Sequence, residues 1–362
     1  YSIQKLSSTA LKNWIEKKMR AGERLGFDPW LHSETDFQSL SQFCNEKKIT
    51  LVPVKENPID QIWDNQPPPP ISPARALNIG FSGLESIKKR ASIAKILKER
   101  NCGALIISSP DSIAWLLNVR GNDVPFTPFV LSFAICFADS SIDWFVDERK
   151  LCKDFLDTID LKVKIQKPGS LMKELGNLVQ KNIVFHVCQK SLPTHLFQKL
   201  RKNNAKINYG VDPCQILKAR KNCAEIRGAQ NAHFRDGVAV CNFLYWISTA
   251  GISGKETELS AVAYLEKERK KLKNFQGPSF PTISGFSSNG AIVHYKPSQK
   301  SNKKIRPNSL LLVDSGGQYL DGTTDITRTI AIGTPTLEMK NNFTRVLKGH
   351  IALSCIKFPS GT

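Results

Sequence analysis

The run Gln66-Pro67-Pro68-Pro69-Pro70-Ile71-Ser72-Pro73 constrains this chain more than any other stretch. Proline lacks a backbone N–H and fixes φ, so prolines this dense exclude a helix or a sheet interior and favour an extended polyproline segment. Residues 66–75 are therefore expected to form a Pro-rich linker at a domain boundary. Residues 1–65, broken by Gly and Pro, are too few for a complete domain. The 362 residues leave room for two or three domains at roughly 100–200 residues each. The first residue is Tyr1, followed by a polar, basic stretch unlike a signal peptide, which suggests missing upstream sequence.

Apolar residues at 41% and charged ones at 23% exclude wholesale disorder. Fifty-one Lys and Arg against 32 Asp and Glu give +19, a balance that would suit nucleic acid or an acidic membrane surface. The basic residues are scattered, in groups such as Lys88-Lys89-Arg90, Lys267 to Lys273 and Lys300 to Arg306. A generally solvated surface is the preferred reading. Nine cysteines without a C-x-x-C pair read as reduced, mostly buried thiols of a cytosolic protein. The longest apolar run, Phe129 to Ala138, is half of the ~20 residues a membrane helix needs, so it reads as a buried strand.

Beyond the linker, apolar runs at Ala104 to Ile107, Phe129 to Ala138, Ile142 to Val146, Val163 to Ile165 and Ile183 to Val187 read as strands. Between them, Leu84 to Arg100, Glu148 to Ile159 and Leu192 to Lys202 have helical spacing. The result is an α/β domain, and a hairpin around Asp139-Ser140-Ser141 makes its sheet mixed. From about Val211 the texture changes to a long helix, roughly Asn222 to Ser248. Its apolar face is expected to carry Ile226, Ala229, Phe234, Val238, Cys241 and Leu244. A second helix starts near Glu256, strands and turns run from Phe280 to about Ile332, and a last helix starts near Glu338.

Chemistry concentrates between Leu310 and Thr329. Four apolar residues, Leu310 to Val313, run into Asp314, placing a carboxylate at the end of a buried strand, where it needs a partner. Asp321-Gly322 can reverse the chain, after which Asp325, Thr327 and Thr329 face one way and Ile326, Ile330 and Ile332 the other. Two adjacent strands can then present Asp314 and Asp325 to one spot. Such a pair would repel unless a proton or cation intervened, and hard oxygen donors favour divalent ions such as Mg or Mn. The alternative is two strand-end acids bonded to backbone amides. His294, after the apolar stretch Gly290 to Val293, is a second candidate or else a satisfied structural histidine. There is no H-E-x-x-H, G-x-S-x-G, P-loop or G-x-G-x-x-G motif.

Several segments resemble the aminopeptidase P family of Xaa-Pro aminopeptidases, in that family's order: Gly26 to Trp30, Asn57 to Trp63, Ile113 to Gly121, Phe280 to Gly285, Asn289 to Tyr295 and Asp314 to Thr329. The resemblance implies an α/β (α+β) chain with an RNase-H-like, creatinase-type N-terminal domain followed by an incomplete pita-bread catalytic domain. It makes 1–65 the remnant of a first N-terminal domain, 76–210 the second RNase-H-like domain, and 211–362 the first half of the metallopeptidase domain. It further implies that Asp314 and Asp325 ligate two divalent ions, usually Mn2+, that activate water, and that His294 contacts substrate near the scissile bond. The expected reaction is removal of the N-terminal residue from peptides with proline second, in the cytoplasm.

The family also supplies a His and two Glu ligands after the stretch matching Phe358 to Thr362. This chain is therefore expected to be inactive alone. A homodimer is left open, no membrane is implied, and nucleic acid is not the expected partner. The rival reading is a noncatalytic pita-bread module binding an acidic partner, RNA or protein; a prolidase-type dipeptidase is the third.

Overall fold

The computed structural model describes residues 8–362; the first seven, part of the segment assigned above to a domain remnant, lie outside the described residues. The chain divides into two compact units, one comprising residues up to 124 and 128–221, the other 125–127 and 222–362.

In the first unit, β1 (Arg24–Phe27) and β2 (Thr50–Pro53) pair in parallel. Next come β3 (Arg75–Ala76), β4 (Ala104–Ile107), β5 (Val119–Arg120), β6 (Phe133–Phe137), β7 (Ile142–Phe145), β8 (Val163–Gln166), β9 (Val184–Val187) and β10 (Lys206–Tyr209). Six of these form a mixed sheet in the order β10-β9-β4-β6-β7-β8, with β6 and β7 as the antiparallel hairpin expected around Ser140, whose φ is +70°. Strand periodicity sends Leu105 and Ile107 of β4 into one core layer with Trp144 and Cys136, and Ala104 and Ile106 into another with Phe145 and Phe185. Each fully buried Leu, Ile or Phe contributes roughly 1.5–3 kcal/mol.

Two elements of this unit are shorter than their apolar patterns suggest. The strand within Phe129–Ala138 is only Phe133–Phe137, because the residues before it bond to Asp123 instead of a strand: Asp123 N donates to Phe129 O, and its Oδ2 accepts from Leu131 N at 2.7 Å. The stretch Glu148–Ile159 forms a 3-10 turn and a four-residue helix rather than one helix. Asp147 and Cys152 start these two separate turns, and Asp147 caps the first by accepting from Arg149 N.

The end of the Pro-rich stretch is fastened to this unit. Ser72 Oγ donates to Asp123 Oδ1 at 2.8 Å, Ala74 N donates to Lys150 O at 2.8 Å, and β3 pairs with β5. Asp123 and Lys150, both buried, form an ion pair at 2.6 Å. Residues 28–34 dock on the helix Thr194–Lys202, with His195 N donating to Pro29 O at 2.9 Å and Arg201 paired to the buried Glu34 at 2.6 Å.

The second unit opens with the helix Cys223–Ala250. Asn222 caps it by accepting from Ala224 N and Glu225 N, while Glu225 accepts from Asn222 N, a capping box worth about 1 kcal/mol. Its buried face is Gly228, Ala232, Asp236, Ala239, Val240, Phe243 and Ile247, whereas Phe234 is 80% exposed and Ile226 and Val238 are exposed too. The expected apolar face is thus largely turned outward. The reason in the first half of the helix is close approach: a Cβ on Gly228 would lie 2.3 Å from Asp321 O, so Gly228 and Ala232 face the Asp321 turn there, while Val240, Phe243 and Ile247 fill the core further along. The helix Glu258–Lys270 packs beside it, with Trp246 stacked on Tyr264 at 4.0 Å between ring centroids.

Six strands follow: β11 (Phe275–Pro278), β12 (Ile283–Phe286), β13 (Ser309–Ser315), β14 (Gly317–Tyr319), β15 (Gly322–Thr323) and β16 (Ile326–Ile332). They form two antiparallel sheets, ordered β12-β13-β16 and β11-β14-β15. The helix Leu337–Ser354 comes after them. Five of the nine cysteines are buried and all are free thiols. Among the described residues no helix is long and apolar enough to cross a membrane.

Candidate metal centre

Strand β13 lies between β12 and β16, and its side chains alternate. Leu311, Val313 and Ser315 are buried, while Leu310, Leu312 and Asp314 are half-buried. Asp314 therefore stands on the more open face of the sheet, not in a closed interior as the apolar run suggested, because a period of two sends only every second residue inward. Its register partners are Ile283 on β12 and Thr327 on β16. Thr327 Oγ1 donates to Asp314 Oδ1 at 3.1 Å.

Asp325 sits one residue before β16 and two before Thr327. Burial alternates through Thr324 (buried), Asp325 (exposed), Ile326 (half-buried) and Thr327 (exposed). The register thus brings Asp325 toward the strand end that carries Asp314, on Thr327's side of the chain. The reversal between the two acids is the one expected: Leu320 and Asp321 turn the chain from β14 to β15, pairing Tyr319 with Gly322. Asp321 itself is committed to an ion pair with Arg235 of the long helix.

Gly316, the single residue between β13 and β14, is required where it stands. A Cβ there would lie 2.0 Å from Thr324 O. The contact is locked by Gly317 N donating to Thr324 Oγ1 and Thr324 N donating to Gly317 O, both at 2.9 Å.

His294 does not follow a strand. It occupies a turn after the 3-10 segment Ser287–Ala291, is exposed, and has φ +56°. The residues around it are captured by Glu258, which is fully buried at the start of the helix Glu258–Lys270 and accepts from Phe286 N, Asn289 Nδ2, Tyr295 OH and Lys303 N at 2.7 to 3.0 Å. A helix N-terminus favours such a buried anion. Burial, with Glu258 beside it, raises the Tyr295 phenol above its ordinary pKa. Gly290 packs toward Leu312, where its Cβ would lie 3.5 Å from Leu312 Cβ, so the turn leaves from the face that Asp314 shares.

Behind Asp314 lies a polar network that sequence reasoning missed. Asp236 and Arg269 pair inside the unit, and Tyr319 OH donates to Asp236 Oδ1 at 2.7 Å. Burial opposes ionisation of Asp236, but the hydrogen bonds and charge of Arg269 outweigh it and hold the carboxyl below its ordinary pKa. The available signal was spacing: Gly228, Ala232, Asp236 and Val240 recur at four residues, placing an acid on the packed face.

The donor chemistry of Asp314 and Asp325, two hard carboxylates near one strand end, suits a divalent cation. Among the described residues no group of three or more His, Cys, Asp and Glu is placed to hold a metal ion, so these two acids stand alone.

Residues 65–225 match the creatinase/prolidase N-terminal domain, and 227–362 match metallopeptidase family M24. The Xaa-Pro aminopeptidase ApepP of Drosophila melanogaster is 35% identical over 364 residues, covering 98% of this chain and 58% of that protein. The chain is thus similar to aminopeptidase P proteins along nearly its whole length. Aminopeptidase P2 of Arabidopsis thaliana is 34% identical over 96% of this chain and 53% of its own length. The chain thus spans little more than half the length of these relatives. The crystal structure of an X-prolyl aminopeptidase from Caenorhabditis elegans, a cytosolic enzyme with a di-nuclear active site, superposes with a TM-score of 0.88 at 28% identity, over 97% of this chain and 58% of that one. A prolidase from Pyrococcus horikoshii, 20% identical with a TM-score of 0.55 over 73% of this chain and 69% of that one, shares the fold. The fold is therefore a creatinase-type α/β domain joined to an M24 pita-bread domain, as the sequence implied.

Proposed function

We propose that this chain serves Xaa-Pro aminopeptidase chemistry: hydrolytic release of the N-terminal residue from peptides with proline second. The observation that carries the reading is the β13–β16 register, which sets Thr327 opposite Asp314 and Asp325 two residues away. In this reading Asp314 and Asp325 hold divalent ions, two as in the family and manganese as the expected metal. Such ions, when bound, acidify a water and polarise a scissile carbonyl.

The chain's own residues have separate tasks. Thr327 ties one oxygen of Asp314 and so restricts the directions in which the carboxylate binds. His294, on its exposed turn, reaches the substrate near the scissile bond, where an imidazole N–H stabilises charge developing on the carbonyl oxygen. Two carboxylates are weak holders of two ions, so this chain by itself is proposed to be inactive. The reading includes a cytoplasmic setting and a peptide substrate, allows a homodimer, and gives no part to membrane or nucleic acid.

The test is manganese-dependent release of the first residue from an Arg-Pro-Pro peptide, run beside Mn2+ binding by electron paramagnetic resonance, for the chain and for Asp325→Ala. Turnover that the variant loses supports the chemistry and overturns the proposed inactivity. No turnover, with Mn2+ binding that the variant loses, supports both. Absence of turnover and of Mn2+ binding overturns the metal reading, and RNA binding with steep salt dependence would replace it by the noncatalytic one.

A further inference from the structure

Asp236 and Arg269 are 3% and 2% exposed and meet at two points, Nε to Oδ1 at 2.7 Å and Nη2 to Oδ2 at 3.0 Å. An ion pair this deep gives little net stability, because desolvation offsets most of the attraction. Its use lies in the remaining guanidinium nitrogen. Nη1 donates to Ser315 Oγ at 2.5 Å and to Gly316 O at 3.2 Å, on the two residues that directly follow Asp314. Gly316 O also accepts from Ser279 N at 3.0 Å, and Ser279 Oγ donates to Thr324 O at 2.9 Å, on the residue that precedes Asp325. An unbroken set of hydrogen bonds therefore runs from the Asp236–Arg269 pair to the backbone beside both acids.

We infer that Arg269, oriented by Asp236, is the positioning residue that fixes the spacing of Asp314 and Asp325; this rests on the metal reading proposed above. Both partners sit on long helices, Cys223–Ala250 and Glu258–Lys270, which give the pair a rigid frame. Only a planar guanidinium can bind a carboxylate at two points and still direct a third nitrogen at Ser315 and Gly316. A lysine at 269 could satisfy Asp236 or the strand end, not both.

The test uses Arg269→Lys and the milder Ser315→Ala, which leaves the Asp236–Arg269 pair intact and serves if Arg269→Lys does not fold. Amide hydrogen exchange is the first readout. Both variants are expected to speed exchange at Gly317 and Thr324 while Leu311 and Ile330, paired further along β13 and β16, keep their protection. Mn2+ affinity is the second, with a loss of about tenfold or more expected for Arg269→Lys. Unchanged exchange at Gly317 and Thr324, or uniform acceleration across the unit, overturns the inference. Accelerated local exchange with no Mn2+ uptake by the unmutated chain upholds the anchoring of both strand ends and overturns the metal reading instead.

Discussion

Tyr295 donates its hydroxyl to Glu258 Oε2 at 2.8 Å, joining the residue after His294 to the first turn of the helix Glu258–Lys270. The same carboxylate gathers Phe286 N, Asn289 and Lys303 N, so one buried side chain shapes both ends of the turn that displays His294. Tyr295→Phe removes the hydroxyl shared with Glu258, Asn289 and Ser301 but leaves the carboxylate its other donors, and is expected to cost about 1–2 kcal/mol, whereas Glu258→Leu strands several buried donors and is expected to cost at least about 3 kcal/mol. Urea denaturation measures both; equal costs would show that Glu258 does not carry the cluster.

Metal addition separates the two acids from ordinary surface carboxylates. If Asp314 and Asp325 hold Mn2+, saturating metal raises the thermal midpoint of the chain, by a margin equivalent to about 2.7 kcal/mol at a hundredfold excess over the dissociation constant. Asp314→Ala and Asp325→Ala should abolish the rise. Thr327→Val keeps both acids but drops the hydroxyl on Asp314 and should weaken Mn2+ about tenfold. A rise that survives either alanine variant would place the metal elsewhere.

The buried Asp123–Lys150 pair fastens the end of the Pro-rich stretch through Ser72 and Ala74. Lys150→Met leaves Asp123 buried and unpaired, so about 3–5 kcal/mol of stability should be lost. Limited proteolysis should then cut more readily near residues 66–75 than in the unmutated protein. Identical cleavage patterns would show that the pair does not hold the segment.

Acid should loosen the second unit through Asp236. Its folded pKa is depressed by Arg269, so its contribution is complete above the unfolded value near 3.9 and is lost as pH falls through the folded one. Urea midpoints taken from about pH 6 down to about pH 3 should show the gap between unmutated protein and Asp236→Asn narrowing as pH drops. A gap that widens in acid would reverse the assigned sign.

Much of the candidate site was legible in the sequence because it depends on local rules. A strand alternates sides every residue, and Asp321-Gly322 begins the return of the chain, so the approach of Asp314 to the strand after Asp325 follows from order and spacing alone. The long helix was equally legible, since Asn222 and Glu225 are three residues apart and cap it without help from the rest of the fold. Five of the six strands of the mixed sheet followed from apolar runs bounded by turns, whereas the edge strand β10, with Lys206 and Asn208 in its four residues, carried no such run.

What tertiary structure alone decided is where charge enters the interior and which faces are covered. Asp236 and Arg269 are 33 residues apart, and Glu258 reaches Tyr295 across 37. Hydropathy assigns each of these ionisable residues to the surface, because burial becomes tolerable only when a distant partner or helix end compensates the desolvation. The first half of the long helix turned Gly228 and Ala232 inward rather than Ile226 and Phe234, since Gly228 meets the Asp321 turn at a distance that no side chain allows. His294 was drawn out of an expected extended run into an exposed turn by bonds that its neighbours make to Glu258. Local periodicity set the strands and helices of this protein, and contacts between residues far apart in the chain set the surroundings of its candidate functional groups.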